Sequence, residues 1–401
     1  MRAGICAVRA GKSDSEYIVF PFNILIYRPK SVIIGRKKTR WTKGKSMRRF
    51  DYNALADRTW DTDILNLVAK IHEYKGRQAL FARQKPVELE RLVEIARIQS
   101  TEASNKIEGI VTTGTRMKQL FAEKTTPRNR DEDEIMGYRD VLNTIHESSD
   151  FIPIRSNYIL QLHRDLFKRS GRSFGGKYKN VQNYINETHP DGTVITRFMP
   201  VAPHETPEAV DAICAAYTQA EAGERVDVLI LIPVFICDFL CIHPFNDGNG
   251  RMSRLLTLLL LYRSGYDLGK YISIEKQIEK TKDRYYEALE VADSGWHEAQ
   301  NDPTPFIRYM LQVLLACYAE FEDRLGTVAN RGRSSTAYDT VKRYALEKVG
   351  KFTSADVIAH CPSVGRSSAL AALKQLTEEG TILRYGSGRS TFYVKAEEPQ
   401  I

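Results

Sequence analysis

His243-Pro244-Phe245-Asn246-Asp247-Gly248-Asn249-Gly250-Arg251-Met252-Ser253-Arg254 is a polar, glycine-bearing segment between two apolar runs, Val226 to Ile242 and Leu255 to Tyr262. A helix that is apolar on every side belongs at the centre of a domain. Asp227, Pro233 and Asp238 interrupt the first run, and the polar segment separates it from the second, so neither reads as a membrane span. The segment therefore lies at the heart of a mainly helical domain.

Its residue types point to phosphate chemistry. Gly248, Asn249 and Gly250 tolerate left-handed or strained backbone and lead straight into the second helix. Free amides at a helix start, with the dipole behind them, form a phosphate site. Arg251 and Arg254 are three apart on one face of the first turn. Two guanidiniums beside an anion hole suit a polyphosphate. Asp247, just before the glycines, is placed to hold Mg2+, which favours one carboxylate plus phosphate oxygens. His243 is the candidate general base, kept neutral near pH 7 by nearby positive charge. A plain turn between helices needs one or two of these features, not all of them.

The segment resembles the Fic signature, HxFx(D/E)GNGRxxR, and matches it at every position. The resemblance implies an all-helical domain that transfers AMP from ATP to a hydroxyl of a protein target. It implies that His243 deprotonates a Ser, Thr or Tyr hydroxyl and that Asp247 binds Mg2+ across the α- and β-phosphates. The amides of Gly248, Asn249 and Gly250 would hold the phosphates, in a nucleotide site that also includes Met252 and Ser253. Arg251 and Arg254 would grip the β and γ groups, and Phe245 would anchor the loop in the core. Tyr184 to Phe198 reads as a hairpin with its turn at Asp191-Gly192. It resembles the Fic flap, which aligns the target as an added strand, with Thr196, Arg197, Phe198 and Met199 as the nucleotide-facing edge. Tyr285 and Tyr286 resemble the adenine-side residues.

Upstream, Ser104-Asn105-Lys106-Ile107-Glu108-Gly109 resembles the Fic inhibitory pattern, (S/T)xxxE(G/N). Ser104 and Glu108 share a helix face, and Gly109 can end the helix. Glu108 would then pair with Arg254 and occupy a group needed for the γ-phosphate. The resemblance places the chain with Fic proteins whose inhibitory helix precedes the core, and it covers roughly residues 47–395.

The remaining sequence sets the frame. The chain has 401 residues, of which 42% are apolar and 27% charged, an ordinary globular balance. Six cysteines without a CxxC pair read as buried hydrophobes in a reducing, cytoplasmic setting, not as a disulfide frame or zinc site. Residues 1–46 carry +9 and residues 47–330 carry −5, beside a net +8 for the whole chain. Residues 1–46 read as a disordered or mis-assigned extension, with a basic membrane-surface arm as the alternative; translation from Met47 is expected to suffice. Helical periodicity marks Ile64 to Ile71, Pro86 to Ile98, Ile135 to Ile145 and Ile159 to Phe167, the last capped by Ser156, with His163 as a packed residue. A helix capped by Thr206 follows the hairpin, and then come helices over Gln277 to Ala292 and Pro305 to Leu325.

These features divide the chain into an N-terminal helical region (47–130), a Fic core (131–325), a linker (326–335) and a C-terminal unit (336–395). In the C-terminal unit, three helices, the second capped by Ser354, precede a hairpin around Gly386-Ser387-Gly388. That is the winged-helix pattern, on a segment whose residues 331–395 carry +6. The expected fold is thus mainly α, a Fic-type helical domain with a short β-hairpin flap plus a winged helix. The expected activity is that of a self-inhibited protein adenylyltransferase acting on other proteins and on itself, with ATP and Mg2+, no membrane, and a homodimer and DNA as further partners. The alternative is a DNA-binding winged-helix regulator whose Fic domain acts as a kinase or removes AMP.

Overall fold

The computed structural model describes residues 48–84, 86–188, 192–332, 337–348, 350–361 and 364–396. The 1–46 extension, the Asp191 side of the expected hairpin turn and the Pro362-Ser363 turn lie outside the described residues. The chain divides into two compact units, with the boundary between Phe321 and Glu322.

The first unit is helical. It comprises α1 (Thr62–Gln84), α2 (Pro86–Ile107), α3 (Gly114–Phe121), α4 (Arg130–Ser148), α5 (Ser156–Phe167), the hairpin β1 (Ile185–Thr188) and β2 (Val194–Phe198), α6 (Thr206–Gly223), α7 (Val228–Ile242), α8 (Asn249–Arg263), α9 (Ile274–Lys280), α10 (Lys282–Asp293) and the part of α11 (Thr304–Gly332) up to Phe321. The two apolar runs become α7 and α8, which pack on each other and are buried along nearly their whole length. Helix α6 covers α7, α4 covers α8, and α2 lies on α4 and α9. At Gly137 of α4 an added Cβ would come within 2.1 Å of the Leu166 carbonyl, so glycine lets α4 and α5 meet backbone to backbone. The buried pair α7–α8 is the centre of the unit, and the polar segment joins them there.

Several local expectations shift. Ser156, Thr206 and Ser354 are the first helical residues of their helices, not the caps. A cap needs extended backbone, and before Ser354 that role falls to Thr353, which forms a reciprocal capping box with Asp356. The helix expected over Gln277 to Ala292 breaks at Thr281, whose hydroxyl donates to the Gln277 carbonyl at 2.9 Å. The expected linker is helical as far as Gly332, because α11 continues through its glycines and arginines.

In the second unit α12 (Ala337–Glu347), α13 (Ser354–His360) and α14 (Arg366–Glu378) are followed by antiparallel β3 (Ile382–Tyr385) and β4 (Phe392–Lys395). Val341, Ala345, Phe352, Leu373, Leu376 and Ile382 form its core. Phe352 and Tyr393 exchange both backbone hydrogen bonds, 2.9 and 2.8 Å long, which ties the segment before α13 to the hairpin. The order of elements is the one expected from sequence.

Arg48 and Tyr52 tie the start of the described chain to the first unit's core. Arg48 donates to the Trp296 carbonyl at 2.6 Å and lies 4.9 Å over the Trp296 ring. Its guanidinium is 3.8 Å from buried Asp238 of α7, which also accepts from Tyr52 Oη at 2.8 Å and Trp296 Nε1 at 2.6 Å. Burial pushes the Asp238 carboxyl above its usual range, against the pull of Arg48, Trp296 and Tyr52. Arg48→Ala should therefore cost about 1–3 kcal/mol of stability, because it strips a charge partner from a buried carboxylate. Urea unfolding of the two proteins measures it, and an unchanged midpoint would remove Arg48 from the core.

Candidate active site

The polar segment begins where α7 ends. His243 caps α7 with left-handed backbone, φ 51° and ψ 63°, which is unusual for a residue with a Cβ. Its Nδ1 lies 3.3 Å from the Leu240 carbonyl. Nδ1 therefore carries the proton, and Nε2 keeps its lone pair. Burial, joined by the Lys179 ammonium, lowers the imidazole pKa to about 4, against the Leu240 carbonyl and the Glu108 carboxylate. At neutral pH His243 is an uncharged base.

The segment ends where α8 starts. Gly248 is the N-cap, with φ 82°. A Cβ there would meet the Phe167 ring at 2.8 Å, so glycine satisfies both the backbone angle and the packing. The Asn249, Gly250 and Arg251 amides occupy the helix positions that lack intrahelical partners. The Asp247 carboxylate accepts from the Gly248 amide at 2.6 Å, and its side chain is 43% exposed. Among the described residues no three His, Cys, Asp or Glu side chains converge on a metal site. A divalent ion here would use one carboxylate with phosphate and water oxygens, the donor set that suits Mg2+.

The two arginines diverge. Arg254 is buried and fully engaged: Nε donates to Ser104 Oγ at 2.8 Å, and Nη2 donates to the Ser104 carbonyl at 2.9 Å and to Glu108 Oε1 at 2.8 Å. Ser104 and Glu108 reach it because α2 ends beside α8. Gly109, with φ 80°, closes α2 through paired bonds from its own amide to the Lys106 carbonyl and from Ile110 to the Asn105 carbonyl. Burial opposes the Glu108 charge, but Arg254, Arg251 and Lys282 outweigh it and hold the carboxyl below its usual range. A Cβ on Gly250 would fall 2.3 Å from Glu108 Oε1, so the carboxylate rests on the bare Cα at the mouth of α8.

Arg251, expected to stand beside Arg254, turns instead into the core. It donates to Glu134 of α4 at 2.8 Å and lies 4.9 Å over the Phe167 ring. The side chain of Met252, expected at the nucleotide, is wholly buried core. The Ser253 hydroxyl donates to the Gly250 carbonyl at 2.8 Å. Tyr285 is buried near Ser253 and Arg254, while Tyr286 is 44% exposed on the same helix. The expected flap edge is held to its own surroundings. Thr196 bonds Asn186, Arg197 pairs with Asp293 at 2.9 Å, and Phe198 stacks on His297 with ring centroids 5.3 Å apart. His297 Nε2 donates to the Met199 carbonyl at 2.8 Å.

Sequence reasoning missed how several residues hold the loop. His163 stacks on Phe245 at 3.6 Å between ring centroids, donates through Nε2 to the Asp247 carbonyl and accepts the Gly176 amide at Nδ1, both at 3.0 Å. Burial lowers its pKa to about 4, which fits that neutral tautomer. The Asn249 side chain bonds Phe245 twice, accepting from its amide at 2.9 Å and donating to its carbonyl at 2.8 Å. Glu134, Lys179 and Asn183 carried no signal, because nothing local distinguishes them from surface polar residues.

The chain is similar to known proteins over part of its length. Residues 153–261 match the Fic/DOC family. The protein adenylyltransferase fic-1 of Caenorhabditis briggsae is 28% identical over 184 residues, covering 45% of this chain and 32% of that protein. The protein adenylyltransferase Fic of Culex quinquefasciatus is 26% identical over 234 residues, covering 55% and 41%. The chain thus spans under half the length of these relatives. A crystal structure of a Fic family protein from Desulfovibrio desulfuricans G20 superposes with a TM-score of 0.55 at 24% identity, over 86% of this chain and 99% of that one. The loop between α7 and α8, its supporting helices and these matches together show that the chain carries a Fic domain.

Proposed function

We propose that the protein is a self-inhibited adenylyltransferase that moves AMP from ATP to a Ser, Thr or Tyr hydroxyl of a protein. The observation that carries this reading is the pairing of an uncharged base, His243 Nε2, with a glycine-capped helix start, Gly248, five residues on. In the reaction the target oxygen attacks the α-phosphorus and its proton passes to His243 Nε2. The bond from the α-phosphorus to its bridging oxygen breaks, and diphosphate leaves. The α8 amides hold the phosphates, while Asp247 would hold Mg2+. The ion would neutralise phosphate charge. His163 and Asn249 keep Asp247 and Phe245 in place. His243→Ala should cut AMP transfer by about 10² to 10⁴ and leave ATP binding nearly intact. Asp247→Ala should weaken Mg2+-dependent ATP binding as well. Incorporation of α-labelled ATP and calorimetry of ATP binding check both; γ-label incorporation instead would indicate a kinase.

Inhibition follows from the Glu108–Arg254 pair. The carboxylate neutralises a cation that would otherwise meet the γ-phosphate, and it leans on the start of α8. Glu108→Gly should raise AMP incorporation about ten-fold or more, since positioning dominates phosphoryl-transfer catalysis. Glu108→Gly with Arg254→Ala should lose most of that gain. An unchanged or lower rate in a folded Glu108→Gly protein would leave the α2 terminus a structural helix end.

A second reading concerns the C-terminal unit, taken as a winged helix. Arg366, Ser367, Ser368 and Lys374 are exposed on α14, the position of a recognition helix. The full chain should retard a DNA duplex in a salt-dependent manner, and the Arg366→Ala, Lys374→Ala double variant should bind less. A mobility shift without these effects would favour protein docking.

A further inference from the structure

We propose that Lys179 and Asn183, in the connection from α5 to β1, are positioning residues that hold the His243 backbone and imidazole in register. The proposal rests on the reading of His243 as general base. Its observation is a run of carbonyls, Ile242 to Phe245, each taken by the same short segment. Lys179 Nζ donates to the Ile242 carbonyl at 2.9 Å. Asn183 Nδ2 donates to the His243 carbonyl at 3.2 Å and the Phe245 carbonyl at 3.1 Å. The Lys179 backbone amide donates to the Pro244 carbonyl at 2.8 Å. Lys179 Nζ also donates to Asn183 Oδ1 at 2.9 Å. That bond fixes the amide orientation, because the reverse would set a side-chain oxygen against two carbonyls.

The arrangement answers a specific need. A helix that ends in a left-handed residue with a Cβ is strained unless its surroundings hold it. The last carbonyls of α7 also need donors. Phe239 and Leu240 receive theirs from the His243 amide and Nδ1. Ile242 receives the Lys179 ammonium, a cation at the negative end of a helix. The imidazole is thus pinned on both sides, by its own helix through Nδ1 and by Lys179–Asn183 through the backbone around it.

Lys179 brings a charge as well as donors. Lys179 is only 3% exposed, and its acceptors, Asn183 Oδ1 and the Ile242 carbonyl, are both neutral. Burying an ammonium among neutral groups is costly, and burial lowers its pKa to about 7. The charge acts on the base. The charged groups that bear on His243 are Lys179, from the connection, and Glu108, from the end of α2, with opposite signs. Lys179 is protonated in the acid range where His243 titrates, so its charge keeps the imidazole deprotonated at lower pH.

The test uses the full chain, with Glu108→Gly as the common background so that rates are measurable. Lys179→Met should lower the AMP-transfer rate about ten- to a hundred-fold, the scale of a misplacement near one ångström, with ATP affinity unchanged. It should also raise the His243 pKa, moving the acid limb of the rate profile to higher pH. Lys179→Arg should restore the acid limb, and Asn183→Ala should lower the rate without moving it. NMR titration of the histidines, with His243→Ala to assign the signal, reads the charge effect without any turnover. An unchanged His243 titration in folded Lys179→Met overturns the electrostatic role. An unchanged rate in Asn183→Ala overturns the positional role, and is readable even where Lys179→Met does not fold. Parallel loss of ATP binding and rate overturns the assignment to the base. Absence of AMP transfer in the background protein, with the titration shift intact, would sink the adenylyltransferase reading and leave the Lys179–His243 coupling standing.

Discussion

A polar loop between two buried helices survives only if its backbone and side-chain groups find partners, since each buried group left unpaired costs about 1–3 kcal/mol. Several elements of the first unit help to meet that demand. Helix α5 offers His163 to the Asp247 carbonyl, and the connection beyond it offers Lys179 and Asn183 to the carbonyls around His243. Helix α4 brings Glu134 to Arg251, and α2 brings Ser104 and Glu108 to Arg254. The loop even serves itself, as Asn249 returns to Phe245. Rigidity at the centre is thus borrowed from elements distributed along the chain, as a preorganised site requires.

On the proposed reading, a carboxylate stands in for a phosphate at the same site. The start of α8 favours negative charge through its amides and dipole, and Arg254 adds a fixed cation. Glu108 uses both attractions, with its oxygen against the Gly250 Cα and in the grip of Arg254. Being tethered to α2, it needs no binding equilibrium of its own. Helix α2 is itself held at that end, since Lys282 donates to the Ile107 carbonyl at 2.8 Å and Lys106 pairs with Glu279 at 2.7 Å.

What could be read from the sequence was local. The helices on either side of the loop follow from apolar runs, the left-handed Gly248 from its place before a helix, and the end of α2 from Gly109. The Glu108–Arg254 contact was legible only because a motif links two distant stretches. Glu134, Lys179 and Asn183 were invisible because they act across 117, 63 and 60 positions of chain, and pairing at that range leaves no periodic trace. The inward turn of Arg251 was missed for the same reason, because its carboxylate partner comes from another helix. Helix caps slipped by one residue where two hydroxyl or polar residues stand side by side, as at Thr353-Ser354. The continuation of α11 to Gly332 shows a helix running on through a composition that favours a loop.

His163 also couples the loop to the acidity of the medium. Folded, it titrates near pH 4 because burial excludes the charged form, whereas a free imidazole titrates near 6.5. Between those values the unfolded chain binds a proton that the folded chain refuses. Stability fully present above about pH 6.5 therefore drains away as the pH falls toward 4. His243, with its pKa also lowered to about 4, adds to the same slope. The stacked histidine that keeps Asp247 and Phe245 in place is thus an inbuilt point of acid lability, because protonating it would set an N–H at Nδ1 against the Gly176 amide and a cation near Arg251.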